Sequence, residues 1–210
     1  MLRRIALAAT AAALALGGIT VASDTAGAAK TTITATGNVS CSIAGKVKIN
    51  PPLTNQNTVP STVTGKLKGA CTGSTESGVT PTKVKITLTY TGSGPGTCNG
   101  LAEPSVDPFS INLRWKGSGG KINESNAVLK GFVLTGVPNF GFDLPNPNAP
   151  SPQSSVTGSY AGSNNAQAHA HIDVPDTSRC DPTTKPNGKV KAAKGIKKIP
   201  ILPGSTFTIS

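Results

Sequence analysis

Lys83-Val84-Lys85-Ile86-Thr87-Leu88-Thr89-Tyr90 places an apolar side chain at every even position and a lysine or threonine at every odd one. A repeat of two residues belongs to a β-strand, so one face of this segment meets a core and the other meets water. Valine, isoleucine, threonine and tyrosine are also the side chains that suit a pleated surface. Phe109, Ile111, Leu113 and Trp115 repeat the pattern against Ser110, Asn112, Arg114 and Lys116. Clean alternation of this kind is a property of antiparallel sheets with one wet face.

Working outward, further strands are expected over residues 31–36, 39–49, 61–70, 121–134, 154–160, 166–174, 188–192 and 205–209. Breaker-rich connections separate them: Gly73 to Gly78, Thr91 to Gly96 and Gly117 to Gly120. No window sustains a helical stripe beyond the first residues. The expected fold class is therefore all-β, as a single antiparallel β-sandwich or distorted barrel. Val137 through Pro152 carries Pro138, Pro145, Pro147, Pro150 and Pro152. Proline cannot donate to a sheet ladder, so this stretch reads as a surface loop with no central strand. Phe140 and Phe142 within it read as a satellite core under the loop, or as apolar contacts for a partner.

The first residues differ in kind. Arg3 and Arg4 precede an apolar run from Ile5 to Val21, and Ala26-Gly27-Ala28 supplies small residues of a cleavage site. This reads as a cleaved secretory signal peptide over residues 1–28, followed by one domain over residues 29–210. The run is short and alanine-rich for a membrane span, and no second apolar stretch follows. The expected product is secreted, extracellular and at most loosely held at the cell surface, with no transmembrane segment in its mature form.

Export makes the four cysteines a disulfide framework. Residues 41–50 and 61–71 both alternate around the loop from Pro51 to Pro60. With Ile49 opposite Val63, Cys41 falls opposite Cys71, which leaves Cys98 to pair with Cys180. Zinc is disfavoured by the oxidising compartment and the absence of a C-x-x-C pair.

The run Val39-Ser40-Cys41-Ser42-Ile43-Ala44-Gly45-Lys46-Val47-Lys48-Ile49-Asn50-Pro51-Pro52-Leu53-Thr54 resembles the opening of small secreted β-rich proteins of actinobacteria. Val63-Thr64-Gly65-Lys66-Leu67-Lys68-Gly69, Gly96-Thr97-Cys98-Asn99-Gly100-Leu101, Val156-Thr157-Gly158-Ser159-Tyr160-Ala161-Gly162 and Phe207-Thr208-Ile209 are similar to later parts of that group. These are strand and turn patterns. The resemblance implies an exported β fold and carries over no site.

Three clusters carry what chemistry the sequence offers. His169, His171 and Asp173 project from one face of a strand, and two imidazoles two residues apart can share a metal ion. The same alternation makes them the ordinary wet face opposite Ala166, Ala168, Ala170, Ile172 and Val174. Glu103 and Asp107 form the closest loop carboxylate pair and read as solvated turn residues. Arg179, Lys185, Lys189, Lys191, Lys194, Lys197 and Lys198 crowd the C-terminal region of a chain whose formal charge is +11. Such a cluster suits an anionic cell-wall polymer, or else protects an exposed edge strand.

Nucleic acid is disfavoured as a partner by export and by the scarcity of stacking aromatics. No cofactor is implied: Gly117-Ser118-Gly119-Gly120-Lys121 lacks the spacing of a phosphate loop. The leading expectation is a secreted, non-enzymatic interaction or envelope-associated protein that binds an anionic polymer or an extracellular protein. The alternatives are a metal-dependent hydrolase using the histidine strand, and a secreted inhibitor or small-ligand carrier.

Overall fold

The computed structural model describes residues 31–136, 141–163, 165–173 and 175–210. The expected signal peptide, Phe140 and Val174 lie outside these residues. In chain order the strands are β1 (Thr32–Ile33), β2 (Val39–Leu53), β3 (Thr62–Gly73), β4 (Thr80–Thr91), β5 (Ser105–Ser118), β6 (Lys121–Ile122) and β7 (Ser125–Thr135). They continue with β8 (Gly141–Leu144), β9 (Ser154–Gly158), β10 (Ala166–His171), β11 (Thr183–Thr184), β12 (Val190–Lys191) and β13 (Ile196–Ile209). Two short 3-10 turns, Asn99–Ala102 and Thr177–Arg179, are the helical segments among the described residues.

Strands β2, β3, β4, β5, β7, β8, β10 and β13 pair in that order, each antiparallel to the next, and β13 pairs back onto β2. The sheet closes on itself. Of the two architectures expected, the chain adopts the barrel, with β9 as an extra strand paired to β7 alone. Strands β2 to β5 alternate inward apolar or small residues with largely polar outward ones, so this part of the wall follows from the period-two pattern of the sequence. Ile49 faces Val63 and Cys41 faces Cys71 in the β2–β3 register. The Cys41–Cys71 disulfide joins these neighbours, and Cys98–Cys180 joins two distant loops.

The segment from Val137 to Pro152 corrects the loop expectation. Gly141–Leu144 is a wall strand between β7 and β10, with Phe142 opposite Leu134 and Ala170. It stops at Pro145, whose nitrogen has no hydrogen to donate. The chain then leaves the wall and returns at β9, which continues alongside β7 from Ser154 opposite Leu129 to Gly158 opposite Ser125. One stave of the barrel is thus made of two short strands separated by an excursion. Asn146 and Lys130 close the base of that excursion through the Asn146 amide and Lys130 carbonyl, 2.9 Å apart.

Beside this stave, Gly131 adopts φ +72°, and a Cβ there would lie 1.9 Å from the Ser105 carbonyl oxygen. This glycine permits the register shift between β5 and β7 at Ser105 and Pro108.

One end of the barrel is plugged. Trp115 and Tyr160 meet edge to face with ring centroids 5.0 Å apart, and Tyr160 is fully buried. Burial, with a smaller contribution from the Glu76 charge, pushes the Tyr160 phenol up to about 12. The Trp115 indole donates to Ser125 Oγ at 2.8 Å, and that hydroxyl donates to the Ser159 carbonyl at 2.6 Å. The Ala35 amide donates to Ser159 Oγ at 3.1 Å, which ties in the segment after β1. Ser125→Ala would strand the buried indole N–H. Chemical denaturation should therefore show a loss of about 1–3 kcal/mol.

No helix among the described residues is long and apolar enough to cross a membrane. The outward positions of β2 to β5 are largely lysine, threonine and serine. That is the reverse of the apolar outer band of a membrane-spanning barrel.

Candidate functional site

The other end of the barrel is open, and beneath it lies a cavity of about 400 Å³. All eight staves contribute to its lining, among them Ile49, Leu67, Ile86, Phe109, Phe132, Phe142, Ala170 and Ile199. Their inward direction follows from the strand alternation. Val63, Leu88, Phe109, Phe142, Leu144, Ala168 and Ala170 pack against the core yet remain partly exposed. These side chains point into the barrel, so the surface they expose faces the cavity.

Two features of the sequence create the space. Strand β10 supplies Ala168 and Ala170 where other staves supply leucine, isoleucine or phenylalanine, which leaves that side of the interior unfilled. Across from it, Tyr90 stacks on Phe109 at 4.4 Å between centroids, and Phe132 meets both edge-on at 6.1 Å. Phe142 meets Phe132 edge-on at 5.1 Å. Aromatic rings locked edge to face form a rigid wall that does not collapse into the gap.

The mouth is polar and tied. The Tyr90 hydroxyl lies 3.0 Å from Ser105 Oγ. Burial pushes the Tyr90 phenol up, the Ser105 hydrogen bond pulls the other way, and the Asp107 charge adds to the rise. The phenol is therefore a neutral hydrogen-bonding group at physiological pH. Asp107 accepts from the Ser93 amide at 2.7 Å and from the Ser93 hydroxyl at 3.0 Å. Ser61 Oγ donates to the Pro51 carbonyl at 2.8 Å on the other side of the rim. The Cys98–Cys180 disulfide links the β4–β5 loop to the long β10–β13 connection here. The Asn55 amide donates to the Cys180 carbonyl at 3.0 Å, and the Gly96 amide to the Val59 carbonyl at 2.9 Å. Three rim loops are thereby held together.

No protein-family model, curated protein or solved structure matches this chain. Its own geometry carries the interpretation.

The residues singled out from sequence fall in three places. His169 and His171 lie on the outer face of β10, on the opposite side of the strand from the cavity-lining alanines. Their rings meet edge-on at 4.6 Å, with the two Nε2 atoms 3.2 Å apart. The carboxylate beside them is Asp143 of β8, which hydrogen-bonds His169 Nδ1, since His169 and Asp143 face each other in register. Asp173 stands exposed beyond the end of β10. Among the described residues no group of three or more His, Cys, Asp or Glu is placed to hold a metal ion. Glu103 and Asp107 both border the cavity mouth.

Arg179 pairs with Asp176 at 3.2 Å, and Lys185, Lys189, Lys191 and Lys194 are exposed along the β10–β13 connection. Lys197 and Lys198 are exposed on the barrel wall. The cavity itself escaped the sequence reading. The one available signal was the small size of Ala166, Ala168 and Ala170 on a core-facing strand.

Proposed function

We propose that this is an exported, non-enzymatic binding protein that carries one small, mainly apolar molecule in its barrel. The observation that carries the proposal is the cavity, an open apolar cup with a plugged base and a disulfide-held rim. Its size of about 400 Å³ falls within the range of sites for small organic ligands. An eight-stranded closed barrel is also the size whose interior either fills with side chains or holds one small ligand. Here the alanines of β10 leave it unfilled.

The chemistry of the lining selects the ligand. Phenylalanine and tyrosine rings on one side favour a flat or slender hydrocarbon body. Polar groups gather at the rim, where Tyr90 and Ser105 meet a head group carrying a hydroxyl or carbonyl. Among the described residues the lining contains no histidine, lysine or cysteine. The histidine pair faces outward, away from any molecule held inside. Two disulfides suit an oxidising compartment, in keeping with export.

Titration with N-phenyl-1-naphthylamine, a neutral apolar fluorophore, tests the reading. Saturable one-to-one enhancement is expected. At a free probe concentration of about 100 Kd the fold should gain about 2.7 kcal/mol against denaturant, because the probe binds only the folded state. Unsaturable enhancement without stabilisation would refute the proposal.

A further inference from the structure

A second surface of the barrel has no role in holding a molecule in the cavity. On the outer wall, Lys198 of β13 faces Lys48 of β2 and Lys46 faces Lys66 of β3. Lys68 faces Lys85 of β4, Lys85 faces Arg114 of β5, and Lys83 faces Lys116. All of these side chains are exposed. The result is a diagonal band of cations crossing five adjacent strands. At about 4.8 Å between neighbouring strands the band is roughly 19 Å wide.

Strands β2, β3 and β4 contain no aspartate or glutamate. Among the described residues, the ion pair on this wall joins Arg114 to Glu124 at 3.0 Å. Like charges directly opposite each other on neighbouring strands destabilise a sheet. Edge protection does not account for them, because each of β2, β3 and β4 is paired on both sides. A band that costs stability and guards no edge fits an anionic partner.

We infer that this band docks an extended, flexible polyanion of the cell surface, a polymer with phosphodiester groups along its backbone such as a poly(glycerol phosphate) chain. The residues interleaved with the cations decide the class. Thr64, Thr87, Thr89 and Ser110 offer hydrogen bonds to phosphate oxygens, and the apolar residues facing Lys68 and Lys83, Ala44 and Ala70, are too small to enter a bilayer. No aromatic ring lies among them to stack a nucleobase. The lysines nearest the C-terminal end that stand out in the sequence are not this surface, apart from Lys198.

The experiment measures binding of the folded protein to poly(glycerol phosphate) between about 50 and 200 mM salt. Two variants split the band, Lys46→Gln with Lys66→Gln, and Lys68→Gln with Lys85→Gln. A third, Lys185→Gln with Lys189→Gln, Lys191→Gln and Lys194→Gln, alters the connection instead. Each band variant is expected to weaken binding by about tenfold at low salt and to flatten its salt dependence, because fewer counterions are released. The connection variant should bind like the parent. Since each band variant removes a like-charge pair, thermal melts should show them folded. Equal binding by the band variants, or loss confined to the connection variant, would overturn the inference. Binding to phosphatidylglycerol vesicles or single-stranded DNA in preference to the polymer would overturn the choice of partner.

Discussion

Ala170→Trp is expected to abolish uptake of N-phenyl-1-naphthylamine while leaving the barrel folded. Ala170 lies on β10 opposite Phe142, and its methyl group borders the cavity. An indole at this position projects into the space the probe would occupy. Affinity should fall by about a hundredfold or more, equivalent to roughly 2.7 kcal/mol. Adding bulk to a filled core typically costs about 1–3 kcal/mol. Here the added ring enters free space, so the denaturation midpoint should move little. Gln167→Trp, exposed on the outer face of the same strand, serves as the control and should bind the probe as the parent does. Fluorescence titration and denaturation of the three proteins decide the matter. Unchanged affinity in Ala170→Trp would place the probe elsewhere.

Loss of the Cys98–Cys180 bridge should produce the other large effect. The bridge spans 82 residues of sequence, against 30 for Cys41–Cys71. Loop-closure entropy then assigns it about 4.5 kcal/mol, against about 3.7 kcal/mol for the shorter loop. The two also differ in where they act. Cys41 and Cys71 join strands that a full ladder of hydrogen bonds already aligns. Cys98 and Cys180 join rim loops that no strand ladder aligns; their other ties are single hydrogen bonds to the β2–β3 loop, such as Asn55 to Cys180 and Asn57 to Gly96. Cys98→Ser with Cys180→Ser should therefore lower both stability and probe affinity. Cys41→Ser with Cys71→Ser should lower stability and leave the affinity of the folded protein unchanged. Denaturant titrations paired with probe binding separate the two outcomes.

The parts of the fold legible in sequence were those set by short-range periodicity. Alternation in 83–90 and 109–116 identified two neighbouring wall strands and their inward faces. The hairpin register from Ile49 and Val63 led to both disulfides. Closure was not legible, because it depends on β13 returning to β2 and on β5 meeting β7, pairings that alternation does not specify. Strand β8 was hidden by its length. Four residues ending at a proline carry too little pattern to stand out from a proline-rich loop, and the neighbours on both sides supply the pairing that stabilises it.

The same distinction applies to the two surfaces. Alternation shows which side chains face inward but not whether they fill the interior, so the alanines of β10 read as core. The lysines near the C-terminal end were conspicuous because they are close in sequence. Lys46, Lys66 and Lys85 stand far apart along the chain and become a band only through the register of three strands.

The most direct test of the barrel as a ligand site is methyl NMR of the protein titrated with N-phenyl-1-naphthylamine. Binding inside should shift the methyl resonances of Ile86, Leu88, Leu144 and Ile199, which line the cavity. Val128 on the outer side of β7 and the exposed Val190 should remain in place. Shifts confined to Val128, Val190 or other outer residues, with the interior methyls unmoved, would contradict the account.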